Sequence, residues 1–360
     1  MRYNRIKHFR RIDFLLEHDN IDAMIGINNL YLKQSLLAYS KLWILEVMLV
    51  ILTVTLTPAL DKTVVVPGFS MNTVNRIQSI RVDAGGKGIN VSKTLHVIGG
   101  TSVAIGILGG SNGEFIRDSL DQQGIKNDFV FVRDNTRVNL KIIDPDNHTN
   151  TDINEPGAPV TSDDLNAVLK IAQNRLKRGD IVVLAGKAPQ GTADTLFADW
   201  VTSFRAMGVK VFMDADGGLL AQGVKAKPLL IKPNEDELAR LVGKRLIGLE
   251  DMVQAAKALV AHGIETVVVS MGGDGALFVR EHEILRGHGL KVPVQSTVGA
   301  GDSMMAALCY GEDVGKSFEE TCKLAMAVSA ATVMRPGTQA AAAEDIESLL
   351  EQVNLEKVAF

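Results

Sequence analysis

The stretch "STVGAGDSM", Ser296 to Met304, places two glycines on either side of an alanine, and an aspartate follows at once. Glycine allows backbone paths that other residues resist, and the residues after Asp302 have a helical pattern. A glycine turn that opens a helix leaves free N–H groups that bind anions such as phosphate. Asp302 alone could simply stabilise the helix dipole. Because a cap needs only one such residue, the aspartate together with Gly299 and Gly301 favours an anion site.

A second glycine-rich stretch, "DAGGKGINVSKTL", begins at Asp83. Its spacing is neither that of a Walker A loop nor Gly-x-Gly-x-x-Gly. Gly85 and Gly86 would let a ligand approach the backbone, while Lys87 and Asn90 can hydrogen-bond hydroxyls or phosphate. The alternative interpretation is a tight turn with a solvated lysine.

Two further segments have both a structural and a functional interpretation. In "KPNEDEL", which begins at Lys232, Asn234 and Glu237 have the spacing of a helix capping box. The stretch "VVVSMGGDGALFV" predicts a β-hairpin around a glycine turn. Neither pattern alone requires a ligand.

The segment "TRVNLKI" alternates charged or polar residues with apolar ones. Residues two apart on a strand face the same way, so Arg137, Asn139 and Lys141 are expected to share one face. Two cations and an amide could bind a sugar phosphate. The alternative is a solvated strand face.

The elements that must position these residues alternate between strand and helix. Continuous apolar strands such as "DIVVLAG" and "TVVVS" indicate burial on both faces of a parallel sheet, and helices follow them. This pattern predicts an α/β layered fold, in which ligands bind at the carboxyl edge of the sheet. Two segments, at about 61–84 and 129–156, instead read as short strands joined by turns, and they predict a small separate β-sheet.

Composition excludes several classes of protein. The chain has 360 residues, 46% of them hydrophobic, and a net charge of −4, which gives no reason to expect nucleic acid as a partner. The longest apolar stretch is interrupted by Glu46 and is shorter than the ~20 residues of a membrane span. With only two cysteines and no metal-binding histidine spacing, we expect a cytoplasmic protein without a protein-built metal cage.

Residues 1–47 differ from the rest of the chain. The start, "MRYNRIKHFRR", is rich in basic residues and is followed by no glycine-rich turn or strand–helix alternation. One interpretation is a basic appendage that contacts nucleic acid, which would make the chain a DNA-binding fusion. The favoured interpretation is a translated upstream stretch that is not native, with the domain starting at Met48 and covering 48–360.

Taken together, "AGGKGINVS" and "TVGAGDSM" resemble the two signatures of the ribokinase-like (PfkB-type) sugar kinases. The resemblance covers about residue 48 to the C-terminus and implies a ribokinase-like α/β/α core. It also implies a β-sheet lid, made by the two strand-rich segments, that commonly contributes to a homodimer. ATP and Mg²⁺ are the implied cofactors, with Mg²⁺ held through phosphates and only indirectly by Glu237.

The resemblance also assigns roles to individual residues. Asp302 would be the catalytic base, and the backbone of Gly299, Ala300, Gly301 and Asp302 the anion hole. Substrate contacts would come from Asp61, Gly85, Gly86, Lys87, Asn90, Arg137, Asn139, Lys141 and Lys187. ATP contacts would come from Lys232, Asn234, Glu237, Ser270, Gly272, Gly275, Thr297, Gly299 and Gly301.

The Arg-x-Asn-x-Lys run is similar to the fructose-1-phosphate branch of the family, which implies phosphorylation of fructose 1-phosphate to fructose 1,6-bisphosphate. Two departures affect the substrate: Thr57 stands where the family usually has asparagine, and Lys187 where it usually has serine. Tagatose 6-phosphate is the alternative substrate, and a non-catalytic sugar-phosphate sensor is the alternative class of protein. The intact Gly-Ala-Gly-Asp argues against a sensor, which needs no base.

Overall fold

The computed structural model describes residues 50–359, so the predicted extension at 1–47 and the start at Met48 lie outside the described residues. Within this range, no helix is both long and apolar enough to cross a membrane. The described strands are β1 (Ile51–Thr55), β2 (Ala59–Val65), β3 (Ser79–Gly85), β4 (Ser102–Gly109), β5 (Lys126–Val132), β6 (Val138–Asp144), β7 (Thr149–Asn154), β8 (Ile181–Ala185), β9 (Lys210–Asp214), β10 (Leu230–Ile231), β11 (Thr266–Ser270), β12 (Gly275–Val279), β13 (Ile284–His288) and β14 (Leu355–Lys357).

The main sheet has ten strands in the order β14-β13-β12-β11-β10-β9-β8-β1-β4-β5. The strands from β5 to β11 in this order pair in parallel, and β12 to β14 are antiparallel. Every residue of the apolar strands β1 and β8 is buried, as expected for strands covered on both faces. The predicted, mostly parallel sheet is therefore confirmed.

Helices cover both faces of this sheet. The helices are α1 (Lys87–Val97), α2 (Gly110–Gln122), α3 (Ser162–Arg175), α4 (Leu196–Ala206), α5 (Gly217–Gly223), α6 (Glu235–Val242), α7 (Gly248–Ala261), α8 (Ala300–Val314), α9 (Phe318–Val333) and α10 (Ala343–Leu350). Alternate residues of β1 point to opposite faces: Leu52 belongs to the apolar cluster that includes residues of α3, α4 and α7, whereas Ile51 belongs to the cluster that includes residues of α1, α8, α9 and α10. The result is the predicted three-layer α/β/α core.

A separate four-stranded sheet has the order β3-β2-β6-β7. One face carries Asp61, opposite Asn139 and Asp83, and so is polar. The other face carries Val64 and Ile142, which form a small apolar cluster. The sheet therefore presents a polar face and an apolar face, set by the two-residue period of its strands.

The boundary of the second strand-rich segment differs from the prediction. Residues 129–132 were expected in the small sheet, but they end β5, which pairs with β4 at the edge of the main sheet. Val130 and Val132 pack against the main core, so burial there decides their place. The small sheet takes from this segment only β6 and β7.

Candidate active site

Asp302 lies in the first turn of α8, directly after a glycine turn. Gly299 has a left-handed φ of 85°, which favours glycine over residues with a Cβ. The N–H of Ser303 makes a helical bond to the Gly299 carbonyl, so the N–H groups of Ala300, Gly301 and Asp302 precede it in the helix. These groups and the helix dipole form an anion site beside a buried carboxylate.

The surroundings of Asp302 suit a proton acceptor near neutral pH. The Asn90 side-chain amide donates to Asp302 Oδ2 at 2.8 Å. Burial and then the nearby Asp214 carboxylate raise the pKa of Asp302, while Lys87, Asn90 and Lys232 lower it, and the net result is a pKa of about 6. A carboxyl group with this pKa is ionised at pH 7 but is more basic than an ordinary aspartate.

Asp214, at the carboxyl end of β9, was not identified from the sequence. Its Oδ1 accepts from Lys87 Nζ at 2.8 Å, and its Oδ2 lies 3.0 Å from Lys232 Nζ. Burial alone would raise the pKa of Asp214, but the two ammonium groups hold it below its ordinary value. The only sequence signal for Asp214 itself was an aspartate at the end of a buried strand.

The small sheet contributes the opposite wall of the site. Asn139 Nδ2 donates to Asp61 Oδ1 at 2.9 Å, which joins β6 to β2 across the polar face. Burial raises the pKa of Asp61, although the Asn139 hydrogen bond lowers it. A Cβ built at Gly85 would lie 2.0 Å from Asp61 Oδ2, so glycine is required where this carboxylate packs against β3.

The three predicted phosphate-binding cations differ in their partners. Lys141 pairs with Asp152 at 3.7 Å, and Lys187, whose side chain is 70% exposed, pairs with Asp216 at 3.8 Å. The Arg137 guanidinium instead donates only to backbone carbonyls, those of Glu155 at 3.3 Å and Thr57 at 3.4 Å. Within residues 50–359 it therefore has no carboxylate partner in hydrogen-bonding contact.

The two departures from the family pattern contact each other. Thr57 Oγ1 donates to the backbone carbonyl of Lys187 at 3.1 Å. This bond ties the loop after β1 to the loop after β8, both at the carboxyl edge of the main sheet. The bond holds the Lys187 backbone at this edge, while the Lys187 side chain stays largely exposed.

A cavity of about 540 Å³ lies between the main sheet and the small sheet. It brings together predicted residues from both ends of the chain: Asp61, Gly86, Lys87, Asn90, Arg137, Asn139, Lys141, Lys187, Lys232, Asn234, Glu237, Ser270, Gly299, Gly301 and Asp302. The expected common face of Arg137, Asn139 and Lys141 is thus present. Gly85 does not line the cavity but supports Asp61.

A second cavity, of about 420 Å³, adjoins the first and shares Asn234, Ser270 and Gly301 with it. The predicted nucleotide contacts Gly272, Gly275 and Thr297, together with Ala300, line this second cavity. Much of its remaining wall is apolar, formed by Leu290, Val292, Val294, Met304, Met326, Ala330 and Val333. An apolar slot that ends at the anion site suits a nucleoside triphosphate, with its base in the slot.

Four buried polar atoms of the first cavity lack a hydrogen-bond partner within the described part of the chain: Asn90 Oδ1, Arg137 Nε, Asn139 Oδ1 and Thr338 Oγ1. Buried polar groups are normally paired, so these atoms suit a polar ligand. Thr338, 7% exposed, was not predicted from the sequence. It lies between α9 and α10, where no motif marks it.

Asn234 and Glu237 form the capping box predicted for α6. The Glu237 N–H donates to Asn234 Oδ1, and the Asn234 N–H donates to Glu237 Oε2, both at 2.8 Å. Among residues 50–359, no group of three or more His, Cys, Asp or Glu residues could hold a metal ion. Glu237 nevertheless lines the first cavity, so the cap also faces the site.

The chain is similar in sequence to known carbohydrate kinases. The profile of the "pfkB family carbohydrate kinase" matches residues 55–345. The 1-phosphofructokinase of Vibrio cholerae is 35% identical over 305 residues, 85% of this chain and 96% of that protein. The 1-phosphofructokinase of Escherichia coli K12 is 34% identical over 304 residues, 84% of this chain and 97% of that protein.

Solved structures agree with this relationship. Phosphofructokinase-2 of Escherichia coli in complex with fructose-6-phosphate has a TM-score of 0.80 and 28% identity, over 85% of this chain and 99% of that chain. The same protein has a tetrameric inhibited form, with a TM-score of 0.79. A match over most of the chain, with the predicted motifs gathered in one site, confirms the predicted family: the chain belongs to the pfkB family of carbohydrate kinases.

Proposed function

We propose that the chain is an ATP-dependent kinase that converts fructose 1-phosphate to fructose 1,6-bisphosphate. The observation that carries the proposal is the place of Asp302, at a helix N-terminus where a polar, hydroxyl-binding cavity meets an apolar, nucleotide-sized one. The Asp302 carboxylate accepts the proton of the C6 hydroxyl. The C6 oxygen then forms a bond to the γ-phosphorus of ATP, and the bond to the β–γ bridging oxygen breaks to release ADP.

The site residues stabilise the transferred group electrostatically. The N–H groups of Ala300 to Asp302 and the ammonium groups of Lys87 and Lys232 face the region where its negative charge lies. The nucleotide phosphates would hold Mg²⁺, with Glu237 contributing only indirectly, which suits a site without a protein cage. When bound, Mg²⁺ would neutralise phosphate charge.

We assign the 1-phosphate of the sugar to Arg137, with Lys141 and Lys187 in supporting roles. Arg137 is the strongest of the three candidates because carbonyl groups orient it but no carboxylate neutralises it by hydrogen bonding. Both Lys141 and Lys187 already have an aspartate partner. The names of the relatives from Vibrio cholerae and Escherichia coli K12 support the same substrate.

The test is ADP release with Mg-ATP and each of fructose 1-phosphate, tagatose 6-phosphate and fructose 6-phosphate. We expect the highest kcat/KM with fructose 1-phosphate. Arg137→Met should raise the KM for this substrate at least about tenfold, as expected for a lost charged hydrogen bond. Lys187→Met is the matched control and should have a smaller effect, because its ammonium group is exposed.

Each other outcome has a distinct meaning. Preference for a 6-phosphate would contradict the assigned substrate and place the phosphate at the other end of the sugar. Binding of sugar phosphate without ATP turnover would identify a sensor instead of a kinase. An unchanged KM in Arg137→Met would remove Arg137 from the phosphate site.

We further propose that the small sheet is a lid and the interface of a homodimer. On its apolar face, opposite the polar face that lines the site, Ile80 is 56% exposed and Ile153 is 53% exposed. Met71 and Val74, in the connection from β2 to β3, are also exposed. Exposed apolar patches of this kind mark interaction sites. Light scattering should give a dimer that Ile80→Glu with Ile153→Glu converts to a monomer; a monomeric or tetrameric parent would contradict the proposal.

We place the reaction in the cytoplasm. Cys309 and Cys322 are both buried free thiols, and burial raises the pKa of each. Such thiols persist in a reducing compartment. Cell fractionation of the producing organism would test this assignment, and recovery outside the cytoplasm would contradict it.

A further inference from the structure

Asp214 lies between two lysines that come from different elements of the main domain. Lys87 is the first residue of α1 and Lys232 follows β10, and both line the first cavity together with Asp214. Each ammonium group contacts a different oxygen of the Asp214 carboxylate. The carboxylate is only 3% exposed, so it is fixed in the floor of the site.

Both lysines are close to the expected path of the phosphoryl group. A Cβ built at Gly301 would lie 2.9 Å from Lys232 Nζ, which places this ammonium group against the anion hole. The Lys87 side chain is 39% exposed and lines the first cavity. An ammonium group has three N–H donors, so pairing with Asp214 leaves each lysine donors for a ligand.

Two ammonium groups on one site repel each other unless an anion lies between them. Asp214 supplies that anion before any phosphate is bound. In phosphoryl transfer the protein acts by positioning and electrostatics, and a displacement of about 1 Å can cost about 100-fold in rate. A fixed carboxylate that aims two flexible side chains therefore has a direct effect on the transfer step.

We propose that Asp214 is the positioning residue that holds Lys87 and Lys232 as a pair of cations beside the transferred phosphoryl group. This inference rests on the proposed kinase function. Asp216, two residues along, provides the contrast. Its partner Lys187 is 70% exposed and 3.8 Å away, as in an ordinary surface pair, whereas the Asp214 contacts are shorter and the Asp214 carboxylate is buried.

The first experiment measures the reactivity of the two lysines toward acetylation in the absence of any substrate. Purified parent and Asp214→Asn proteins are acetylated at pH 8, and the rate at each lysine is read by mass spectrometry. Lys357, 76% exposed, is the reference. Asp214 raises the pKa of Lys87, although burial lowers it, and so keeps the amine protonated and unreactive. In Asp214→Asn the Lys87 rate should rise, by roughly tenfold for each pKa unit lost.

The second experiment measures catalysis with fructose 1-phosphate. Asp214→Asn should lower kcat about 100-fold through misplaced lysines. The KM for ATP should change less than roughly threefold, because both lysine cations remain and the Asp214 carboxylate, which repels the ATP phosphates, has been removed. The matched control is Asp180→Asn, a buried aspartate at the opposite edge of the sheet that, among the described residues, accepts from the N–H groups of Val50 and Lys177. It should leave Lys87 labelling, kcat and the KM for ATP unchanged.

A rise in Lys87 labelling with a loss of kcat at constant KM supports the proposal. Unchanged labelling overturns it, and so does faster labelling with full kcat. If the parent protein transfers no phosphate to any sugar phosphate, the proposed function fails while the labelling still decides whether Asp214 holds the lysines.

Should Asp214→Asn not fold, Lys232→Met replaces it: kcat must fall while Lys87, still paired with Asp214, stays protected. An unprotected Lys87 or a full kcat there overturns the proposal.

Discussion

Asp302→Asn should abolish turnover and yet stabilise the folded protein at alkaline pH. The substitution removes the proton acceptor but keeps the shape of the side chain. In the parent protein the Asp302 carboxylate is buried, 7% exposed, and its pKa is raised to about 6. The folded state therefore disfavours the very charge that catalysis requires.

The sign and size of the effect follow from this pKa. Because the pKa of Asp302 is raised on folding, the folded state holds this proton more tightly than the unfolded chain does. The resulting contribution to stability is fully present below about pH 3.8 and is lost as the pH rises through about 6. The difference between these two values corresponds to roughly 3 kcal/mol at pH 8. An uncharged asparagine avoids that cost, so the Tm should rise by roughly 5 °C or more at pH 8. The gain should shrink toward zero as the pH approaches 4.

Thermal unfolding of both proteins between pH 4.5 and 8.5, with ADP release at pH 8, measures both effects. Asp180→Asn is the control, because that carboxylate accepts two backbone N–H bonds and its loss should lower the Tm. A lower Tm for Asp302→Asn at pH 8, or an equal gain at both ends of the pH range, would refute the reasoning. Retained turnover would remove Asp302 from the role of base.

Three further predictions concern the same site. The kcat/KM of the parent should fall about tenfold between pH 7 and pH 5, as Asp302 is protonated. Asn90→Ala removes a hydrogen bond that lowers the Asp302 pKa, so the acid limb of its pH–rate profile should move to higher pH; a limb that stays in place would contradict this assignment. The charged groups that face Asp302 are Lys87 and Lys93 from α1, Asp214 from β9 and Lys232 after β10. Gly85→Ala should displace Asp61 and raise the KM for the sugar phosphate, with the KM for ATP unchanged, in steady-state kinetics; equal effects on both would indicate a general distortion.

The sequence was most informative where glycine and a polar residue are neighbours in the chain. The turn at Gly299 and the helix that begins with Asp302 in its first turn are both local, so the motif alone predicts an anion site. The buried strands of the parallel sheet were also predictable, because their apolar runs are continuous. The boundary of the small sheet was not, since the apolar residues of β5 suit either sheet and only packing against the core decides between them.

Asp214 shows why the rest of the site could not be predicted. Its segment, "VKVFMDAD", indicates only a buried strand that ends in acidic residues. The lysine that donates to Asp214 Oδ1 is 127 residues away, and sheet order rather than any local pattern brings the two together. Yet, after burial, the charge of the Asp214 carboxylate is what raises the pKa of Asp302, and the same carboxylate pairs with two cations beside it. One buried carboxylate thus links the strength of the base to the position of the groups that receive the phosphoryl charge, and a change at Asp214 should alter both together.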